Sequence, residues 1–147
     1  MKLKIKKLHQ DAIVPKYATA GAACFDLNAI NVKIPTPVNT GGPITFDTGL
    51  AFEIPEGWVM MIFSRSGSGF GKDTRLANCV GIIDSDYRGQ VRVKITRDPS
   101  NSEILVVSNG DRIAQAMLIP VSQVEFDLVE ELSSTERGAG GFGSTGK

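Results

Sequence analysis

Histidine and cysteine, the residues most used in metal centres and nucleophilic catalysis, are scarce in this chain of 147 residues. His9 is the single histidine, and the two cysteines, Cys24 and Cys79, lie far apart and form no CxxC pattern. A histidine-rich metal site is therefore excluded, and neither a disulfide framework nor a thiolate zinc site is expected. We expect both cysteines to be buried or half-buried. Any chemistry must then depend on carboxylates, hydroxyls, arginines and the backbone.

The sequence also lacks an excess of charge of either sign and any long apolar run. Its 16 basic and 16 acidic residues cancel, whereas electrostatic binders of nucleic acid or membranes need a basic excess. No stretch approaches the roughly 18 apolar residues that span a bilayer, and the basic segment 1–7 lacks the apolar stretch of a signal peptide. We therefore expect one cytoplasmic domain that binds neither nucleic acid nor membranes.

Short runs of alternating apolar and polar residues, separated by glycine and proline, predict β-strands. The alternation is clearest over 90–96, and it recurs over 50–54 and 124–128. Shorter β-rich runs lie at 3–8, 31–34, 44–46, 58–63, 104–107 and 113–119. A loop is expected at 36–43, and 65–71 is the one candidate for a short helical turn. We predict an all-β fold, a jelly-roll-like antiparallel sandwich or barrel with at most one short helix and a glycine-rich, mobile C-terminal tail.

The glycine-rich tail spans residues 137–147, of which five are glycine. Its composition is typical of a disordered tail, because it can bury little apolar area. It contains a GxGxxG pattern and the beginning of a P-loop, but neither stands between a strand and a helix, which excludes the Rossmann and P-loop interpretations. Consecutive glycine N–H groups can still converge on an anion. With Arg137, Ser144, Thr145 and the ring of Phe142, the tail suits phosphates attached to a flat base.

Two further segments are candidates for chemistry. Asp84 follows the apolar run 80–83 and opens the predicted hairpin turn 84–89. Aspartate and glycine are ordinary turn residues, but a carboxylate held at the edge of a pocket and partly desolvated can act as a general base. The segment 64–67 (Ser-Arg-Ser-Gly) ends the apolar run 59–63. It is either a helix N-cap with a surface arginine or a phosphate cradle.

Taken in order, five segments resemble the five motifs of the trimeric deoxyuridine triphosphatase (dUTPase) family. They are residues 22–27, 64–67, 78–89, 110–115 and 137–146. The resemblance runs from about residue 15 to the end of the sequence, and five ordered motifs are far more specific than one glycine pattern. Two departures stand out. Ser64 takes the place of the family's usual proline, which predicts a looser turn, and segment 68–75 keeps the usual length but not the usual residues.

The resemblance implies a homotrimer that hydrolyses dUTP to dUMP and pyrophosphate with Mg²⁺. This activity limits uracil incorporation into DNA and supplies dUMP for thymidylate synthesis. Each of three active sites would be built from all three subunits. A single domain, 1–147, would consist of a β core over 1–132 and a C-terminal arm over 133–147, mobile when the site is empty and ordered over bound substrate.

The resemblance also implies roles for individual residues. Asp84 would orient and deprotonate the attacking water, Tyr87 would stack under the deoxyribose, and Phe142 would cover the uracil. Asp26 would hydrogen-bond waters on a Mg²⁺ held mainly by the substrate phosphates. The residues implied to read or flank the uracil are Asn78, Gly81, Ile82, Ile83 and Arg92. Those implied to hold the triphosphate or close over it are Arg65, Ser66, Gly67, Gln115, Arg137, Gly143, Ser144 and Thr145.

Two alternatives belong to other functional classes. A dCTP deaminase shares the jelly-roll fold but would need a catalytic glutamate near the base and normally a longer chain. A non-catalytic trimer would bind dUTP as a signal or a partner protein as a regulator. The presence of both Asp84 and the tail favours the hydrolase, while an added binding role stays open.

Overall fold

The structure, a computed structural model, describes residues 1–39, 41–100, 102–141 and 144. Over these residues it contains eleven strands and one short helix, and every strand pair is antiparallel. The predicted all-β antiparallel fold with one short helix is confirmed. The elements are β1 (Lys4–Lys7), β2 (Phe25–Asn28), β3 (Thr36–Val38), β4 (Ile44–Asp47), β5 (Leu50–Glu53), β6 (Trp58–Phe63), α1 (Ser66–Lys72), β7 (Thr74–Leu76), β8 (Gly81–Ile83), β9 (Arg92–Arg97), β10 (Leu105–Val107) and β11 (Arg112–Pro120).

A four-stranded sheet in the order β2-β11-β6-β8 carries Asp26, Gln115 and the run 81–83 among the residues implied in function. β11 is the longest strand, and it pairs with β2 on one side and β6 on the other. Met60 and Ile62 of β6 point into the core, as do Ala114 and Ala116 of β11. Burial of a side chain the size of leucine or methionine contributes about 1.5–3 kcal/mol, so these strands are held in a fixed register.

A three-stranded sheet, β4-β9-β7, and two ribbons, β1-β5 and β10-β3, complete the fold. β9 shows why alternation predicts a strand. Val93 and Ile95 are buried in the core, while Arg92 and Lys94, which alternate with them, are exposed. Buried residues from both sheets and both ribbons form one hydrophobic core.

The β4–β5 corner, which we define as Asp47–Leu50, is a tight connection between two strands. Gly49 has a φ of 66°, and a Cβ there would lie 2.9 Å from the Cβ of Ala12. Only glycine fits both the left-handed backbone and this close approach. The hydroxyl of the fully buried Thr48 donates a 2.6 Å hydrogen bond to the carbonyl of Val91. The corner is therefore fastened to the chain that leads into β9.

The predictions of a strand at 31–34 and of a loop at 36–43 were wrong in detail. Residues 31–34 form no strand, because Asn31 adopts a left-handed φ of 59°, and β2 forms just before them. The predicted loop 36–43 contains β3, in which Pro37 is tolerated because this strand pairs only with β10. β7 was not predicted, since three residues are too few to show a period.

The predicted alternation at 124–128 forms no strand in this chain. Residues 121–139 are all exposed, with Phe126 93% and Leu128 99% accessible. A strand needs a partner edge to satisfy its backbone groups, and no strand of the described residues pairs with 124–128. Over the same described ranges, no helix is long and apolar enough to cross a membrane.

Candidate active site

The first group of functional residues is built around the carboxylate of Asp26. Arg65 Nε donates a 3.0 Å hydrogen bond to Asp26 Oδ1, and Arg112 Nη1 donates one of 3.1 Å to Oδ2. Asp26 lies on β2 directly opposite Gln115 of β11, and its side chain is 20% exposed. Two guanidinium groups on one carboxylate leave a net positive charge. We call this arrangement the arginine cluster, and it is suited to binding phosphate.

Ser64 joins three elements beside the arginine cluster. Its carbonyl accepts a 3.0 Å hydrogen bond from Gln115 Nε2 of β11, and its hydroxyl accepts one of 2.9 Å from the N–H of Leu76 in β7. A proline at this position would have no hydroxyl for the second bond. The expected looser turn is therefore not observed, since the serine side chain fastens the end of β6 to β7.

Helix α1 follows the arginine cluster without the predicted serine N-cap. Arg65 occupies the N-cap position with extended φ and ψ of −79° and 143°, and no side chain caps the helix. Its carbonyl accepts hydrogen bonds from the N–H groups of Ser68 and Gly69. Ser66 and Gly67 are exposed in the first turn. Of the two interpretations of segment 64–67, the one with a serine N-cap is wrong.

The second group lines a cavity of about 320 Å³ at the turn between β8 and β9. Asp84 lies at its rim and is exposed in this chain, so its expected partial desolvation is not provided by the chain alone. Tyr87 Oη donates a 3.0 Å hydrogen bond to the carbonyl of Gln90. We call this group the hairpin pocket; its lining residues are Ile82, Ile83, Asp84, Tyr87, Gln90, Val91 and Arg92.

The arginine cluster and the hairpin pocket lie near opposite ends of β6. Gly81 of β8 pairs with Ile62 of β6, and Ile83 pairs with Met60. Asp84, the next residue, therefore lies at the level of Val59, near the start of β6. Arg65 follows Val59 by six positions and lies beyond the other end of β6. At about 3.3 Å per residue, this separation is roughly 20 Å. One chain therefore does not bring the two groups into one site.

Several implied residues join neither group. Asn78 is exposed and does not line the hairpin pocket, while Gly81 is buried against Ile62. Arg137 Nε donates a 2.8 Å hydrogen bond to the carbonyl of Gly140 within the tail, and Ser144 is exposed. The roles implied for Phe142, Gly143 and Thr145 lie outside the described residues.

The two cysteines are free, and their surroundings differ. Cys24 is half-buried as expected. Burial and, to a smaller extent, the negative charge of Asp26 raise the pKa of its thiol. Cys79 is exposed, contrary to expectation, and has a left-handed φ of 62°.

The carboxylate of Asp26 is the described group that fits a role in binding Mg²⁺. No group of three or more metal-ligating side chains occurs in the described part of the chain, so no described cluster forms a cage for the ion. Each oxygen of Asp26 accepts one hydrogen bond, yet a carboxylate offers about four lone-pair sites. Asp26 can therefore also accept hydrogen bonds from water on an ion bound to phosphate, the mode that Mg²⁺ favours.

Sequence reasoning missed Arg112 and Gln90 as members of these groups. Arg112 lies in the fourth motif segment, 110–115, but no role was implied for it. What could have identified it is its place as a charged residue at the start of a strand that pairs with β2. Gln90 gave no signal, because its contacts run to a residue far away in the sequence.

Comparison with known proteins confirms the family that the sequence motifs resemble. The model of the dUTPase family matches residues 10–146. A deoxyuridine 5'-triphosphate nucleotidohydrolase of Nautilia profundicola is 50% identical over 147 residues, covering 100% of both chains, and one of a Hydrogenobaculum species is 43% identical, covering 99% of both. The solved structure of a mutant dUTPase of Staphylococcus bacteriophage 80alpha with dUpNHpp has a TM-score of 0.86 and 26% identity, covering 99% of both chains. This chain belongs to the dUTPase family.

Proposed function

We propose that this protein is a dUTP diphosphatase, which hydrolyses dUTP to dUMP and pyrophosphate in active sites shared between the subunits of a homotrimer. Family membership supports the reaction. The observation that carries the shared site is the roughly 20 Å between the hairpin pocket and the arginine cluster, estimated from strand geometry. Because the attacked phosphorus and its neighbouring phosphate are bonded through one oxygen, Asp84 and Arg65 of the same chain cannot serve one triphosphate. A second subunit has to supply one of the two groups.

The exposed segment 121–139 supports this assembly. Its accessible apolar side chains include Phe126, Leu128 and Leu132, and apolar surface of this kind is typical of an interface between subunits. In this proposal the segment extends from the end of β11 and packs on a neighbouring subunit. Residues 133–147 then form the closing arm of a single domain whose core comprises 1–132.

The chemistry is an attack of water on the α-phosphorus. The carboxylate of Asp84 accepts a hydrogen bond from the water, which orients its oxygen, and takes the proton as the new P–O bond forms. The bond from the α-phosphorus to the bridging oxygen breaks, and pyrophosphate leaves with that oxygen. Closure of the arm would supply the desolvation that exposed Asp84 lacks in one chain.

The arginine cluster, with Ser66, Gly67 and Gln115, holds the triphosphate. Asp26 fixes the orientation of Arg65 and Arg112, so that their remaining N–H groups are prepositioned for phosphate oxygens. Arg137, Gly143, Ser144 and Thr145 bind from the arm. Mg²⁺ bound to the phosphates, with its waters hydrogen-bonded to Asp26, would offset the negative charge of the triphosphate during attack.

The hairpin pocket selects the base and the sugar. The backbone from Gly81 to Ile83, with Asn78, reads the uracil edge, Arg92 flanks it, and Phe142 covers the ring. A fixed pattern of donors and acceptors leaves groups unpaired against cytosine, which supports discrimination of about 10⁴-fold. Tyr87 packs under the deoxyribose, where a 2′-hydroxyl would clash. We place this activity in the cytoplasm, where it limits uracil incorporation into DNA and supplies dUMP for thymidylate synthesis.

The test is pyrophosphate release with Mg²⁺ from dUTP, compared with dTTP, dCTP, UTP and ATP. We expect rapid release from dUTP alone. Ammonia formed from dCTP would indicate a deaminase. No release from dUTP would leave a non-catalytic trimer that binds a nucleotide or a partner protein.

The role of Asp84 is tested by Asp84→Asn, which keeps the size of the side chain but removes the proton acceptor. Turnover of dUTP should fall by at least about 10²-fold, the low end of a general-base contribution, while the Kd for a non-hydrolysable dUTP analogue stays nearly unchanged. Asp86→Asn, in the same turn but outside the hairpin pocket, is the matched control and should keep its turnover. Wild-type turnover in Asp84→Asn would remove Asp84 as the base.

A further inference from the structure

We infer that Asp47 is a positioning residue for sugar selection, which acts by holding Gln90 and, through it, the ring of Tyr87. The inference rests on the proposed function, in which the Tyr87 ring packs under the deoxyribose. Asp47 ends β4, pairs across the sheet with Arg92 and does not line the hairpin pocket. Its effect on substrate must therefore pass through another residue.

The first step is the peptide unit between Gln90 and Val91. The N–H of Val91 donates a 2.8 Å hydrogen bond to the carbonyl of Leu50 in the β4–β5 corner. Because a trans peptide is planar, with its N–H and C=O pointing in opposite directions, this bond directs the Gln90 carbonyl away from the corner. There it accepts the 3.0 Å hydrogen bond from Tyr87 Oη.

The second step is the side chain of Gln90. Its Nε2 donates a 2.7 Å hydrogen bond to Asp47 Oδ1 at a half-buried position. A hydrogen bond to a carboxylate is stronger than one between neutral groups, and this one joins the turn before β9 to the end of β4. Residue 90 is thus held by its backbone and by its side chain at once.

The third step is the ring itself. A Cβ at Gly89 would lie 2.6 Å from Tyr87 Cζ, so the ring packs directly across the glycine. Gly89 lies against the ring, and the carbonyl of Gln90 holds its hydroxyl. Release of Gln90 would free the ring to move away from the sugar and open space for a 2′-hydroxyl. The backbone from Gly81 to Ile83, which reads the base, would be unaffected.

The experiment compares Asp47→Ala with Asp47→Asn. The alanine variant removes the acceptor, whereas the carbonyl oxygen of asparagine can still accept from Gln90 Nε2. In Asp47→Ala we expect the ratio of kcat/KM for dUTP to that for UTP to fall about fivefold, the factor for one net hydrogen bond. Asp47→Asn should restore the ratio to near the wild-type value. The ratio of kcat/KM for dUTP to that for dTTP should not change in either variant. Loss of fold stability alone would change neither ratio, so a selective fall in the dUTP-to-UTP ratio distinguishes positioning from destabilisation.

An unchanged dUTP-to-UTP ratio in folded Asp47→Ala, or equal falls in both ratios, would overturn the inference. If that variant does not fold, Gln90→Leu replaces it, since leucine is similar in size and lacks the amide donor. The same selective fall is expected, and its absence would equally overturn the inference. Wild-type protein is assayed first. If the wild-type protein releases no pyrophosphate from dUTP, the proposed function itself is overturned. If the wild-type protein is active and the variants keep its selectivity, only the inference about Asp47 is overturned.

Discussion

At the scale of single residues, Gly89 lies directly against Tyr87 of the hairpin pocket and leaves no room for a side chain. A Cβ there would overlap the ring of Tyr87, with 2.6 Å to Cζ, and because Tyr87 is 43% exposed the ring has room to move away. We predict that Gly89→Ala displaces the ring and lowers kcat/KM for dUTP about tenfold or more. Steady-state kinetics with dUTP measure this effect.

Gly71→Ala in α1 is the matched control for Gly89→Ala. A Cβ at Gly71 would meet no atom within 4 Å, and alanine is favoured over glycine in a helix by about 0.5–1 kcal/mol. The control should keep its kcat/KM and show a higher midpoint of thermal unfolding. Wild-type kinetics in Gly89→Ala would show that the ring position does not matter for turnover.

The residues differ in how well the sequence predicted them. Asp84 and Tyr87 were identified because they belong to a motif that is contiguous in sequence, and the structure places both at one cavity. The link from Asp47 to Gln90 spans 43 positions and depends on the pairing of β4 with β9. No local pattern encodes such a pairing, so a residue that acts through it is found only from the three-dimensional structure.

At the scale of elements, the end of β6 depends on the side chain of Ser64. Ser64→Ala would remove the acceptor for the half-buried N–H of Leu76, and an unpaired buried donor costs about 1–3 kcal/mol. We predict a fall in the free energy of unfolding of about 1–2 kcal/mol, measured by urea denaturation. Ser64→Thr keeps the hydroxyl and should retain most of the stability. Equal losses in both variants would mean that the hydroxyl makes no contribution.

Element prediction worked where burial imposed a long and regular pattern. β6 was predicted with its observed bounds, and β11 within one residue at each end, because both are central strands. The errors fell on short elements at the periphery. Residues 31–34 have a β-rich composition, but the left-handed backbone of Asn31 prevents a strand there, while β3 forms around a proline because its pairing partner lies almost 70 positions away.

At the scale of the whole molecule, one chain contains the parts of the proposed active site without assembling them. Asp84 is exposed at one end of β6, the arginine cluster lies beyond the other, and the segment 121–139 is exposed throughout. A stable fold with an incomplete site is the arrangement expected when catalysis depends on assembly, because symmetry then builds every site from the same surfaces.

Assembly is the last prediction. We expect a homotrimer of about 47 kDa in native mass spectrometry, three times the 15.7 kDa of one chain, and active sites that draw Asp84 and the closing arm from different subunits. Two defective chains test this. One carries Asp84→Asn with an intact arm, and the other ends at residue 136 with Asp84 intact. Each should be almost inactive as a homotrimer.

Coexpression of the two chains should restore activity. In a symmetric trimer that contains both kinds of chain, one of the three sites combines an intact Asp84 with an intact arm, so mixed trimers should show about one third of the wild-type kcat. Differently tagged chains, purified through both tags, ensure that mixed trimers are assayed. If these trimers form and stay inactive, Asp84 and the arm of each site come from the same chain. The arginine cluster, roughly 20 Å from the hairpin pocket, would then be the part of the site that a second subunit supplies, because a sheet with a well-packed core opposes closing that distance within one chain.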